Sequence, residues 1–307
     1  MVNILHCRIA SQCRSWSHGK ARLRVFLLLS ATVLLSLFIY LRFSTSEGDI
    51  EDTYPFRQAS AQLHLIIQFP VLYTSGKVED HVLKRQAEYI YSLQKNLQSP
   101  HVAAVHILCE KDKDPIFIKA QNLEQDWKLD FIILGRRMHY KDAFEFASKH
   151  LIQKNVMVMN SDCYVHRGFE KLDESILSRK TMYALTRHES EENIRLCDAT
   201  DLCGPKSKFQ GSHDGFLFRL LTPVSPWLLD EIDYRPNIGG IEQVLIFNFR
   251  KYGGFKIKNP CKILHIVHHH CSGVRNETER VIQGQRIDDY LHVAQHRKLV
   301  LAEFSGL

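Results

Sequence analysis

The 307-residue chain is poor in the residues that mark non-globular proteins, with only 15 glycines, 9 prolines and no repeated segment. Collagen-like, low-complexity and disordered classes are excluded, because 45% hydrophobic and 24% charged residues are ordinary for a packed domain. No Cys-x-x-Cys pair is present, which argues against a cysteine-built zinc site, and no His-Glu-x-x-His supports a histidine-built metallohydrolase. The net charge of +6 is also missing from most of the chain. Six basic residues (Arg8, Arg14, Lys20, Arg22, Arg24, Arg42) lie in the first 42 positions, which hold no acid, and the other 34 are matched by 34 Asp and Glu. The remainder is electrostatically balanced, so no nucleic-acid partner is expected.

What is present begins with the apolar run Val25–Leu41, VFLLLSATVLLSLFIYL, which holds no charge, Pro or Gly. As a helix it is about 26 Å long, at the short end for a bilayer and suited to a thin one. It exceeds the apolar stretch of a cleaved signal peptide, and no Ala-x-Ala site directly follows it, so a signal-anchor is expected over residues 25–41. The basic flank keeps residues 1–24 in the cytosol as a tail. Residues 42–61 then form a polar stem and residues 62–307 a lumenal domain of a type II membrane protein. Asn276-Glu277-Thr278 is a glycosylation sequon, which matters only in a secretory lumen. Cys7 and Cys13 fall in the tail, leaving an even set of six cysteines. Cys197 with Cys203, across CDATDLC, is the expected local disulfide and Cys261 with Cys271 the second, with buried free thiols as the alternative.

Beyond the stem, strand-like and helix-like runs alternate. Strands are predicted over Leu63–Phe69, Val102–Leu108, Asp130–Leu134 and Asn155–Met159, with helices over Glu79–Leu97, Lys141–Gln153 and Ile241–Lys251. In the first helix Val82, Leu83, Ala87, Ile90, Leu93 and Leu97 form the apolar face. Further apolar runs lie at 182–185, 215–218, 255–257 and 263–267. The alternation predicts an α/β sandwich with a mostly parallel sheet in one domain.

Four strand-end motifs carry polar chemistry. Met157-Val158-Met159-Asn160-Ser161-Asp162 ends an apolar strand in two polar groups at i and i+2, which an extended chain would aim the same way. Asp162, with Asn160 assisting, could hold a divalent cation against a diphosphate, and a plain turn is the competing reading. His268 and His270 would share one face of a strand with His269 on the other; metal or phosphate contact competes with a surface cluster or structural zinc. Asp214, before an apolar strand, reads either as a positioned carboxylate or as a solvated turn residue. Glu242, in the first turn of a helix after Gly239-Gly240, could serve a substrate or merely the helix dipole. Arg136 and Arg137 could contact a diphosphate or an acidic sugar, a solvated basic loop being the alternative, and Arg275 could clamp a phosphate.

Taken in order, these features resemble a Golgi-type glycosyltransferase with a nucleotide-diphospho-sugar (GT-A) fold. The resemblance is carried by the tail, anchor and stem, a helix bearing Arg85 and Glu88, Asn160-Ser161-Asp162, Ala184-Leu185-Thr186-Arg187, Ser212-His213-Asp214, Gly239 to Glu242, Asn259-Pro260-Cys261, and His268 to Arg275. It implies a Rossmann-like three-layer sandwich and transfer of a sugar from a nucleotide-sugar donor to a glycan or glycoprotein acceptor. By the same resemblance Asp162 would be the last ligand of an Asp-x-Asp motif binding Mn²⁺ or Mg²⁺, with His268 or His270 completing it, although Asn160 replaces the first acid. Asp214 or Glu242 would bind the acceptor or act as base. A Golgi membrane, with the endoplasmic reticulum as the alternative, would be its location. A catalytically silent binding module that kept the fold is the second expectation.

Overall fold

The computed structural model describes residues 62–73, 76–208, 211–274, 277–289, 291 and 299–307. The expected anchor at 25–41, Arg275 and the sequon asparagine Asn276 lie outside the described residues. Among the described residues no helix is long and apolar enough to cross a membrane.

The chain runs β1 (Leu63–Ile67), α1 (Asp80–Gln98), β2 (Val102–Cys109), α2 (Asp114–Lys119), β3 (Leu129–Ile133), α3 (Tyr140–His150), β4 (Asn155–Met159) and β5 (Cys163–Val165). It continues through α4 (Glu174–Leu177), β6 (Thr181–Thr186), β7 (His188–Glu189), α5 (Glu191–Cys197), β8 (His213–Arg219), α6 (Pro226–Glu231), α7 (Ile241–Lys251), β9 (Lys256–Lys258) and β10 (Ile266–His268). The main sheet has the order β3-β2-β1-β4-β8-β6-β9. Every neighbouring pair is parallel except the two made by β8, which is antiparallel to both β4 and β6. This mixed, mostly parallel sheet between helices fits the expected α/β sandwich.

Strands buried on both faces read as continuous apolar runs, and β4 and β6 are buried at every position. One face packs Ile66, Val156, Phe216 and Phe218 against Phe144 of α3 and Val244 and Phe249 of α7. The other packs Leu65, Ile107 and Met157 against Leu93 and Leu97 of α1 and against Ile266 of a second sheet, ordered β5-β10-β7. Three layers result. The small sheet was not expected, because two- and three-residue strands leave too short a pattern to read.

The expected apolar face of α1 is corrected. Ala87 is exposed and Leu83 is 40% exposed, while Arg85, Gln86, Glu88, Ser92 and Asn96 are buried beside Leu93 and Leu97. Partners make this burial tolerable for all of them but Ser92, whose hydroxyl is buried without one. Asn96 acts as an edge-strand partner, donating to Cys163 O at 2.9 Å and accepting from Val165 N at 2.9 Å. Gln86 accepts from Leu72 N and donates to Pro70 O, pinning the loop after β1.

The disulfide pairing is corrected too. Cys197 bonds Cys271, with Cα atoms 5.7 Å apart, and Cys203 bonds Cys261, with Cα atoms 6.2 Å apart. Proximity in sequence misled here, because β10 runs beside β7 and carries Cys271 back to the end of α5. Cys109 and Cys163 are buried free thiols.

Candidate active site

In open α/β sheets ligands sit beyond the carboxyl ends of the strands, where strand order reverses. Here β2 and β3 extend from one side of β1 and β4 lies on its other side, so that point falls between β1 and β4. A cleft of about 610 Å³ opens there, lined by Pro70, Leu72, Asn160, Asp162, Asp214, Arg187, Glu242, His268 and His270. Antiparallel β8 begins where its neighbours end, which brings Asp214 to the same edge.

The segment 160–163 is not extended: Cys163 N donates to Asn160 O at 3.1 Å, closing a turn. The two polar groups therefore diverge rather than share a direction. Asn160 Nδ2 donates to Asp214 Oδ1 at 2.6 Å. Asp162 Oδ2 accepts from the Arg85 guanidinium at 2.6 Å and faces His268 Nε2 at 3.5 Å and His270 Nδ1 at 3.9 Å. Burial opposes ionisation of Asp162, but His268 and Arg85 outweigh it and hold the carboxyl well below its usual range.

Register explains the histidines. In the small sheet His268 lies opposite Cys163 on one side and Glu189 on the other. Its Nδ1 is held by Glu189 at 2.9 Å, so its Nε2 turns toward Asp162. Burial lowers its basicity, yet Asp162 and Glu189 lift its pKa to about 9. His269 leaves on the opposite side, its ring 4.3 Å from that of Tyr91. His270 returns to the cleft; burial, with the Arg85 charge, pushes its pKa down to about 4, and its Nε2 is buried without a hydrogen-bond partner.

The donor atoms of Asp162, His268 and His270 lie within 4.8 Å of one another. These residues fit a divalent cation. A carboxylate meets two imidazoles, one ring is oriented by a carboxylate on its far nitrogen, and the other keeps an unpaired nitrogen.

Two carboxylates remain, and their surroundings differ. Asp214 is 5% exposed and lies within β8 rather than in a turn before it. Its oxygens accept from Asn160, from Ser212 Oγ at 2.8 Å and from Arg187 at 3.4 Å. Glu242, partly buried in the cleft wall at the start of α7, has its pKa raised to about 7 by burial, its own backbone N–H opposing and the Asp214 charge adding to the rise.

Arg137 lines the cleft rim, paired with Glu279 and, at 3.6 Å, with Glu110. Arg136 is corrected: it makes two bonds to Asp142 of α3, at 2.7 and 2.8 Å, and does not line the cleft. Residues not singled out from spacing are Arg187, which bridges Glu189, Ser212 and Asp214, and Glu189 itself. Arg85 and Glu88 at i and i+3 on a helix were the legible trace of that buried polar face.

No family model matches the chain, and no curated protein does. Among solved structures it is similar to a mannosyltransferase, PcManGT from Pyrobaculum calidifontis, in complex with GDP-Man and Mn²⁺. That match has 12% identity, covers 88% of this chain and 72% of that one, and has a TM-score of 0.37. A nucleotide-diphospho-sugar transferase structure from Desulfovibrio desulfuricans G20 matches at 15% identity, 65% and 79% coverage and a TM-score of 0.37. S. aureus TarS 1–349 in complex with UDP-GlcNAc matches at 13% identity, 70% and 61% coverage and a TM-score of 0.39. Likeness at these values leaves the activity to be argued from the cleft itself.

Proposed function

We propose that the chain is a glycosyltransferase that moves a sugar from a nucleotide-diphosphate donor to a glycan or glycoprotein acceptor. The observation that carries this reading is the trio Asp162, His268 and His270 at the strand-order reversal, in a cleft that Glu242 also lines. Mn²⁺ suits the mixed oxygen and imidazole set better than Mg²⁺, which prefers oxygen alone. Held by these three residues, the ion would supply positive charge to the departing nucleoside diphosphate.

The chain's own groups do the rest. Arg85 and Arg187 stay charged beside their carboxylates, since Asp162 and Asp214 outweigh the burial that opposes them. Arg137 at the rim could meet the diphosphate. For an inverting reaction Glu242 is placed to take the acceptor's proton, because a carboxyl titrating at about 7 is matched to that task. Asp214, engaged by Asn160, Ser212 and Arg187, instead orders the floor of the cleft.

The domain is proposed to face the secretory lumen, most simply of the Golgi, behind a stem and a signal-anchor at residues 25–41. Two disulfides, taking four of the six cysteines of the domain, support an oxidising compartment. Alkaline extraction and protease protection test it: release from membranes, or cleavage of the domain in sealed vesicles, would overturn it.

A second reading, a silent binding module, is favoured by Asn160, whose amide serves Asp214. The deciding experiment screens the purified full-length chain against UDP-, GDP- and CMP-sugars with and without Mn²⁺, following nucleotide release. Release from one donor supports transfer, saturable binding without release supports the module, and no binding at all sinks both.

A further inference from the structure

Glu88 lies on α1, on the side of Arg85 away from Asp162, and is 7% exposed. Its carboxylate collects four donors. Arg85 Nη1 reaches it at 2.9 Å, and from 183 and 184 residues away come Cys271 N at 2.6 Å, Ser272 N at 2.7 Å and Ser272 Oγ at 2.9 Å. Burial resists its charge, but these donors, Arg85 foremost, lower its pKa. A buried carboxylate with all its donors in place is a rigid fixture, and one without them is costly.

The contacts close a ring. Glu88 binds Arg85, Arg85 binds Asp162, Asp162 faces His270, and His270 is followed directly by the Cys271 and Ser272 amides that return to Glu88. On its other side the same arm is tied by the Cys197–Cys271 disulfide to the end of α5 and by His269 N to Asp162 O at 2.8 Å. After His268 the arm has left the small sheet. The place of His270 over Asp162 is therefore set by these ties, and Glu88 is the one that also governs Arg85.

We infer that Glu88 is a positioning residue of the candidate centre: it clamps the 268–272 arm to α1 so that His270 and Asp162 face each other at a distance one cation can span. This rests on the reading of the cleft as a metal and diphosphate site. Glu88 does not line the cleft and would touch no substrate.

The test compares the full-length chain with Glu88→Gln, which keeps an oxygen for the two amides, and Glu88→Ala, which keeps none. Free Mn²⁺ is titrated by electron paramagnetic resonance without nucleotide, and hydrogen exchange is followed over residues 263–274. Glu88→Ala should weaken Mn²⁺ binding by about 10- to 100-fold, with Glu88→Gln in between. Amide protection should fall at 269–272 while β1, β2 and β4 keep theirs. The disulfide holds the arm's far end, so both variants should remain folded, and should Glu88→Ala not fold, Glu88→Gln carries the comparison. Unchanged Mn²⁺ affinity together with unchanged protection of the arm in either variant overturns the inference. If the unaltered chain binds no Mn²⁺, the metal reading fails, and arm protection alone then decides the role of Glu88.

Discussion

Glu189 holds Nδ1 of His268 at 2.9 Å, and the opposite ring nitrogen stands 3.5 Å from Asp162. One buried carboxylate thus orients the imidazole toward another, which fixes both its direction and its basicity.

Glu189→Gln should loosen both. His268 has its pKa raised from 6.5 to about 9, so in chelator its contribution to stability is complete below about pH 6.5 and is lost as pH rises through 9. In the variant that loss should move toward neutral pH. Mn²⁺ affinity should also fall by about 10- to 100-fold. Denaturant titrations from pH 6 to 10 and a metal titration check both, and an unshifted stability profile would refute the pairing.

Asp162→Asn should reduce sugar transfer by at least about 100-fold, as loss of a central charge-stabilising group does elsewhere. The amide still fills the site, but Arg85 loses its charged partner, so a stability loss of about 1–3 kcal/mol is expected. Transfer assays beside thermal melts separate the two effects. Full activity in a folded variant would remove Asp162 from the chemistry.

Glu242 sets a second pH prediction, of the same sense for stability but at lower pH. Its pKa is raised from 4.5 to about 7 in the folded chain, so the stability it confers is complete below about pH 4.5 and gone above 7. A base with that pKa makes transfer rise with pH through 7. Glu242→Gln should abolish this ascending limb and flatten the stability profile between pH 4.5 and 7. Retention of the limb would point the proton to another acceptor.

Peptide mapping of the unreduced chain should recover Cys197 joined to Cys271 and Cys203 joined to Cys261. Cys109 and Cys163, both buried, should resist alkylation until the chain unfolds. Replacing Cys203 and Cys261 by serine should cost about 2–5 kcal/mol, measured by denaturant unfolding. Recovery of a Cys197–Cys203 peptide would contradict the fold around α5.

The order of strands and helices in the main sheet was legible from the sequence because burial on two faces leaves continuous apolar runs. Asn155–Met159 and Ile241–Lys251 needed no correction at either end. Asp162, His268, His270, Asp214 and Glu242 were visible as polar residues at strand ends and a helix start, for the same reason. Local pattern could not show that α1 buries Arg85, Gln86, Glu88 and Asn96, since polar residues on a helix read as its wet side until their partners arrive. For Arg85, Glu88 and Asn96 those partners lie far along the chain, at 162, 163, 271 and 272, and for Gln86 in the loop after β1. The disulfide pairing, the separate aims of Asn160 and Asp162, and the turning of Arg136 to Asp142 were decided the same way. Composition and period act over a few residues, whereas a buried charge is settled only by what the folded chain brings against it.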